Sequence, residues 1–183
     1  MVSIIDNFLE EKEFDQLQTF IMGNGFPWYF VERIVSYDDI DNYHFGHLFY
    51  ENYAPISSEI NAINPIVEKI RPVSLFRIKA NLLPKTPNTV ENAFHIDMGM
   101  LEDSPEKLKE WTTAILYVNT NNGYTTFEDG TVVESVANRF ISFPADLKHH
   151  GASCTDEQRR VVINFNYFMA EKWWPRRFSN FWK

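Results

Sequence analysis

Cysteine is almost missing from this chain. Among 183 residues there is one, Cys154, which excludes an internal disulfide and any thiolate-rich zinc cluster, so metal chemistry here has to use imidazole and carboxylate. Long apolar runs are missing too: nowhere do the roughly 18 consecutive apolar residues of a membrane-crossing helix occur. The opening MVSIIDNFLEEKEF lacks the basic start and apolar stretch of a secretory signal. These absences predict a soluble chain in a reducing, intracellular setting. Positive charge is also scarce. Lys and Arg number 17 against 25 Asp and Glu, a formal net charge of -8, and this disfavours a general affinity for phosphate backbones while leaving room for a local basic patch.

Aromatic residues, by contrast, make up 16% of the chain. That share fits a β-rich core, because aromatic and β-branched side chains suit pleated surfaces, better than an aromatic ligand cage. With 44% hydrophobic residues, the length suits one domain. Three parts are expected: N-terminal helices over about 1–72, a strand-rich core over about 73–168, and an aromatic tail over 169–183.

Residues 8–23 place Phe8, Phe14, Leu17, Phe20 and Ile21 at helical spacing, with acids early and Gly23 at the end. A second helix is predicted over Ser57–Ile70, with Pro65 imposing a kink or a break after Asn64. The aromatic segment Trp28–Tyr53 reads as irregular or strand. Short strands follow from residue 73, among them VSLFRIKANLL, AFHIDMG, TTAILYVN, YTTFEDG, TVVESV, RFISFPA and RVVINFNYF. The polar insertion LEDSPEKLKEW, residues 101–111, reads as a short surface helix or lid, and with Trp28–Tyr53 is expected to border the cleft.

Three signals carry chemistry. In the first, alternation around His95-Ile96-Asp97 sends Phe94, Ile96 and Met98 to one strand face and His95 and Asp97 to the other, about 7 Å apart. Two such donors share a metal edge if another strand supplies a third; alone, the pair more commonly describes a hydrogen-bonded His-Asp couple. The second is His149 in the loop of FPADLKHHG, which completes a two-histidine, one-carboxylate set that leaves three positions open on iron. Hydrolytic zinc sites usually leave one open position and need a general base, for which no residue stands out. The third is Arg159-Arg160. Arg160, Val162, Asn164 and Asn166 form one strand face, and an arginine heading such a polar row can grip a carboxylate bidentately, although edge-strand solubilisation explains the pair as well.

Together, HxD, a histidine some fifty residues on and an arginine eleven residues later resemble the 2-oxoglutarate and iron(II)-dependent oxygenase superfamily, especially its prolyl-hydroxylase-like branch with small bacterial and phage members. NNGYTTFEDG is similar to the family's GGxTxF element, FPADLKH to its FP…H element, and RVVINFNYF to its arginine-bearing strand. The resemblance spans about residues 73–168. It implies a double-stranded β-helix, a cupin-like jelly-roll, with His95, Asp97 and His149 as metal ligands, Arg160 holding the co-substrate, and Asn81 and Tyr117 assisting in its pocket. His150 and Arg159 stand one residue from assigned positions and compete for those roles. Asn122-Gly123 replaces the family's common glycine pair. His44 and His47 form an HxxH, disfavoured as a second metal site.

The implied cofactors are Fe(II), 2-oxoglutarate and O2, with ascorbate as an optional accessory. The implied reaction hydroxylates an unactivated C–H bond and releases succinate and CO2. Asp97 favours hydroxylation, because chlorinating relatives replace the carboxylate ligand with a small residue. The expected substrate is a prolyl or other amino-acid side chain, in a peptide or a small molecule. Nucleobase demethylation is the competitor, suggested by the basic, aromatic KWWPRRFSNFWK; against it, position 166 holds Asn166 where demethylases carry a second arginine. A non-catalytic metal-binding jelly-roll is the remaining alternative. No membrane partner is expected, the tail is a candidate subunit contact, and the location expected is cytoplasmic, or the host cytoplasm for a phage-encoded chain.

Overall fold

Alternation sorts the side chains of the two longest strands. Over 74–84 the even positions Phe76, Ile78, Ala80 and Leu82 are buried, and over 159–168 so are Val161, Ile163, Phe165 and Tyr167. Such a period of two builds a sheet with one face on a core and the other free for polar work. The computed structural model describes residues 1–32, 43–101 and 103–169. In chain order the elements are β1 (Ser3–Ile5), α1 (Glu11–Met22), β2 (Tyr29–Val31), β3 (His44–Glu51), β4 (Ala54–Pro55), a 3₁₀ turn (Ser58–Ile63), α2 (Asn64–Ile70) and β5 (Ser74–Pro84). A second 3₁₀ turn (Gly99–Leu101) and α3 (Pro105–Leu108) lead to β6 (Trp111–Tyr117), β7 (Tyr124–Phe127), β8 (Val132–Glu134), β9 (Phe140–Pro144), β10 (His149–Gly151) and β11 (Arg159–Phe168).

The large antiparallel sheet runs β1-β9-β6-β11-β5-β3-β2, with β4 added against β3, and the small sheet runs β10-β7-β8. These two facing sheets are the jelly-roll expected from the sequence. β3 sits inside the large sheet beside β5, so the strand-rich core draws on residues well before 73.

The outer face of the large sheet is covered by α1 and α2. Helix α1 begins at Glu11 rather than Phe8, with Glu11 and Glu13 in its first turn complementing the helix dipole. It buries Phe14, Leu17 and Ile21 against Ala80, Leu116 and Ile163 of the sheet's core, each worth about 1.5–3 kcal/mol for a large side chain. Phe8 precedes the helix and stacks on Phe140 at 4.2 Å. Phe20 stays 38% exposed, off the core. The helix stops at Gly23, where a Cβ would come within 2.9 Å of the Thr19 carbonyl. Pro65 acts as predicted: the 3₁₀ turn gives way to α2 at Asn64, with the proline in the new helix's first turn, where its missing N–H costs nothing.

The expected strand AFHIDMG does not form. Only Glu91 and His95 make bridges, to Ala152 and His149 of the segment around β10, and the chain turns at Asp97-Met98 into the 3₁₀ turn. Phe94 is 48% exposed and packs on His150, whereas Met98 is buried with Leu108, Phe76 and Ala145 in a small satellite core. Ile96 packs against the same satellite core as Met98, so of the three apolar residues at period two only Phe94 goes elsewhere. The insertion after it is pinned through Leu108. Residue 102, residues 33–42 of the expected cleft border and the tail from 170 onward lie outside the described residues. No described helix is long and apolar enough to cross a membrane.

Candidate metal centre

His95 and His149 are joined through their backbones: each amide donates to the other's carbonyl, at 3.0 and 3.1 Å. The turn after Ile96 swings Asp97 back toward them, so one donor atom from each of His95, Asp97 and His149 lies within 4.8 Å of the other two. His95 Nδ1 faces the Ala93 carbonyl at 3.0 Å and His149 Nδ1 faces the Leu147 carbonyl at 3.4 Å. A carbonyl can only accept, so each Nδ1 carries the proton and each Nε2 keeps its lone pair. His149 Nε2 is buried without a hydrogen-bond partner. An orphaned buried acceptor of this kind fits a metal ion.

Asp97 is held from behind. Its Oδ1 pairs with Arg77 at 3.2 Å and its Oδ2 accepts from Asn166 Nδ2 at 3.3 Å. Burial alone would raise its pKa, but Arg77, the two histidines and Asn166 bring it down to about 2. Burial lowers His149 to about 4 against the opposing pull of Asp97. At neutral pH His149 is therefore a neutral imidazole and Asp97 an ionised carboxylate, and with the His95 imidazole beside them the donor types suit a divalent first-row metal.

Arg160 heads the cleft-facing row of β11 and is buried, 3% exposed. Its Nε donates to Ser135 Oγ at 2.9 Å and its Nη2 to Thr125 Oγ1 at 3.1 Å, and its guanidinium lies 5.6 Å from the Tyr117 ring centre. Among the described residues it has no carboxylate partner. A buried cation held only by neutral groups leaves an anion's place open in front of it. Two glycines make room for it: a Cβ on Gly123 would come within 2.6 Å of Arg160 Cδ, and one on Gly151 within 3.2 Å of Nη1.

One cavity of about 280 Å³ is lined by His95, Asp97, His149, Arg160 and Asn81 together. Tyr117 is not at its surface. It is fully buried, and its hydroxyl donates to Thr125 Oγ1 at 2.9 Å, so Thr125 is the group facing the cavity there. Arg159 points to the opposite face of the sheet and bonds the Met22 carbonyl. His150 faces away from the donor cluster, its ring edge-on to Phe94 at 4.5 Å. His44 and His47 are three apart on β3 and so fall on opposite faces. His44 lines the cavity, while His47 bonds the Pro27 carbonyl and Ser57 Oγ. Sequence reasoning missed Thr125, Ser135, Arg77 and Lys79, although alternation along FRIKANLL already turns Arg77, Lys79 and Asn81 the same way.

No family profile matches the chain, and no curated protein matches it in sequence. Solved structures do resemble it. A prolyl hydroxylase from Trichoplax adhaerens, in complex with a hypoxia inducible factor peptide fragment, superposes with a TM-score of 0.59 at 13% identity, over 93% of this chain and 84% of that one. A Pseudomonas putida prolyl-4-hydroxylase gives 0.54 at 13% identity, over 91% and 92%. The epimerase SnoN from nogalamycin biosynthesis, in complex with Fe3+, alpha ketoglutarate and nogalamycin RO, gives 0.62 at 12% identity, over 92% and 79%. The fold of this chain is therefore the jelly-roll of the 2-oxoglutarate/Fe(II) oxygenases, prolyl hydroxylases among them.

Proposed function

We propose that this chain is a single-domain 2-oxoglutarate- and iron(II)-dependent oxygenase that hydroxylates an unactivated C–H bond. The observation that carries this reading is one cavity holding both the His95, Asp97, His149 donor set and the buried, acid-free guanidinium of Arg160. A pure metal-binding protein has no use for the second element. In this reading the three donors hold the metal by one face, and Arg160 takes the distal carboxylate of the co-substrate in a bidentate pair, with Thr125 and Asn81 on the same walls. Tyr117 supports that pair from below through Thr125.

Iron and 2-oxoglutarate, when bound, supply the oxidising power: O2 and 2-oxoglutarate become succinate, CO2 and the hydroxyl delivered to substrate. The protein's own work is placement. Arg77 and Asn166 fix the Asp97 carboxylate, and the Ala93 and Leu147 carbonyls fix the imidazole tautomers. Retention of a carboxylate at 97 favours hydroxyl transfer over halogenation. Asn166, bonded to Asp97 and to Thr113 Oγ1 at 3.1 Å, stands where a nucleobase demethylase would carry arginine, which favours an amino-acid or other small substrate over nucleic acid.

The test is anaerobic addition of iron(II) and 2-oxoglutarate, watching for the visible charge-transfer band of the chelate, followed by oxygen and a succinate assay. A band followed by substrate-stimulated succinate is the expected result. A band with no turnover would identify a binding protein, and no band would end the proposal.

A further inference from the structure

The large sheet turns more positive charge into the cleft than the proposed reaction uses. Arg77, Lys79 and Arg160 all line the cavity. Arg160 is assigned to the co-substrate, and Arg77 is bound to Asp97 at 3.2 Å and to Asn166 Oδ1 at 3.2 Å. Lys79 is left over. Among the described residues no carboxylate lies within 4.0 Å of its ammonium; Asp97 and Glu51 act on it only through space, as does the like charge of Arg77.

What does touch the ammonium is His44 Nε2, at 3.2 Å. His44 is buried and uncharged at neutral pH, its pKa lowered by burial and by Lys79 to about 4. It can take one of the three N–H bonds and supplies no countercharge. The side chain reaches it by lying across Gly46 of β3, where a Cβ would come within 2.9 Å of Lys79 Cε. A half-buried ammonium is thus steered over a glycine to a neutral acceptor, and among the described residues its other two donors meet neither acid nor backbone. Leaving such a charge without an anion is costly once a bound molecule displaces the water around it.

Its place differs from that of Arg160. Arg160 pairs across the sheet with Leu83, and Lys79 stands four residues back along β5, opposite Asn164, which is about 13 Å of strand. Asn164 Nδ2 in turn reaches Asp97 Oδ2 at 3.5 Å. The surplus charge therefore belongs to the neighbourhood of the donor set, on the β3 side of the cleft. The cavity is at the small end for ligand sites, which run from about 300 Å³ upward, and one ammonium matches a monoanion better than a phosphate dianion.

We infer that Lys79, carried over Gly46 and braced by His44, binds the carboxylate of the primary substrate, which is a free amino acid. This rests on the oxygenase reading above, with Arg160 serving the co-substrate and Lys79 the molecule to be oxidised.

The experiment is calorimetric titration of the anaerobic iron(II)/2-oxoglutarate complex with each of the twenty free L-amino acids and with their carboxamides. At least one acid is expected to bind, and its amide to bind about ten- to a hundredfold more weakly, as loss of a charge-assisted pair implies. Lys79→Met should bind that acid as weakly as the amide while keeping 2-oxoglutarate affinity, read from the chelate band. Gly46→Ala should weaken acid binding in the same direction and by less, by shifting the end of the Lys79 side chain without removing its charge. Equal binding of acid and amide, binding of no amino acid, or an acid preference that survives Lys79→Met would overturn the inference. Loss of 2-oxoglutarate affinity in Lys79→Met would assign the lysine to the co-substrate and overturn it too. A missing chelate band in the unaltered protein would instead defeat the oxygenase reading, and this inference with it.

Discussion

Arg159 and Arg160, neighbours in sequence, serve opposite faces of one sheet: Arg159 bonds the Met22 carbonyl at the end of α1, while Arg160 bonds Ser135 and Thr125 inside the cleft. The first prediction follows from that division. A charged hydrogen-bonded pair is worth about 1.5–3 kcal/mol, so Arg160→Ala should weaken 2-oxoglutarate binding about ten- to a hundredfold or more with iron affinity nearly kept. Arg160→Lys keeps the charge but loses the fork, and should restore only part. Arg159→Ala should leave co-substrate affinity unchanged. Anaerobic titration of the chelate band in the three iron-loaded variants checks this, and wild-type affinity in Arg160→Ala would remove the main reason for naming this co-substrate.

Adjacent histidines give a second contrast. His149→Ala, His95→Ala and Asp97→Ala should each abolish iron binding, whereas His150→Ala should keep it, because its ring packs on Phe94 rather than joining the cluster. Iron titration alongside circular dichroism separates lost ligation from lost fold. An iron-binding His149→Ala with an inert His150→Ala would exchange their roles.

Gly123 is predicted to matter as much as a side chain does. Its added Cβ would meet Arg160 Cδ at 2.6 Å and the Ala152 carbonyl at 2.9 Å, and the carbonyl is backbone that cannot step aside. Gly123→Ala should therefore cost about 1–3 kcal/mol of stability, as overpacking does, and should also weaken 2-oxoglutarate binding by displacing the guanidinium. Urea denaturation and the chelate titration read the two effects separately; an unchanged midpoint and unchanged affinity together would show that the site relaxes freely.

Leu108 ties the insertion to the segment that carries Asp97, through the cluster it shares with Met98, Phe76 and Ala145. Leu108→Ala should cost about 2–5 kcal/mol and should loosen residues 97–111 before the sheets. Hydrogen exchange is the measurement, and loss of protection confined to the sheets would refute the coupling.

Period two made most of the cleft legible in the sequence. It turned Arg160, Val162, Asn164 and Asn166 one way, and the large sheet bears this out with Arg160, Val162 and Asn164 on the cavity wall. The same rule misled at Phe94, which packs on His150 while Ile96 and Met98 meet a satellite core assembled from residues 76, 108 and 145, distant in sequence. Which of His149 and His150 faces Asp97 depends on how β10 pairs with β7, a register that local pattern does not carry. Lys79 and His44 were readable as positions but not as partners, since β3 and β5 lie side by side only after folding. The glycines at 46 and 151 are silent in the sequence for a related reason: what they leave room for comes from another strand.

The mutual amide-to-carbonyl bonds of His95 and His149 bear on how this centre could change. Because the main chain sets the anchor points, the identity of a donor and its location are separately adjustable. Exchanging an imidazole for a thiolate or carboxylate at either position would alter which metal is preferred while the scaffold holds the attachment point still, so the centre is open to retuning by single substitutions, in evolution or at the bench, without redesign of the surrounding sheets.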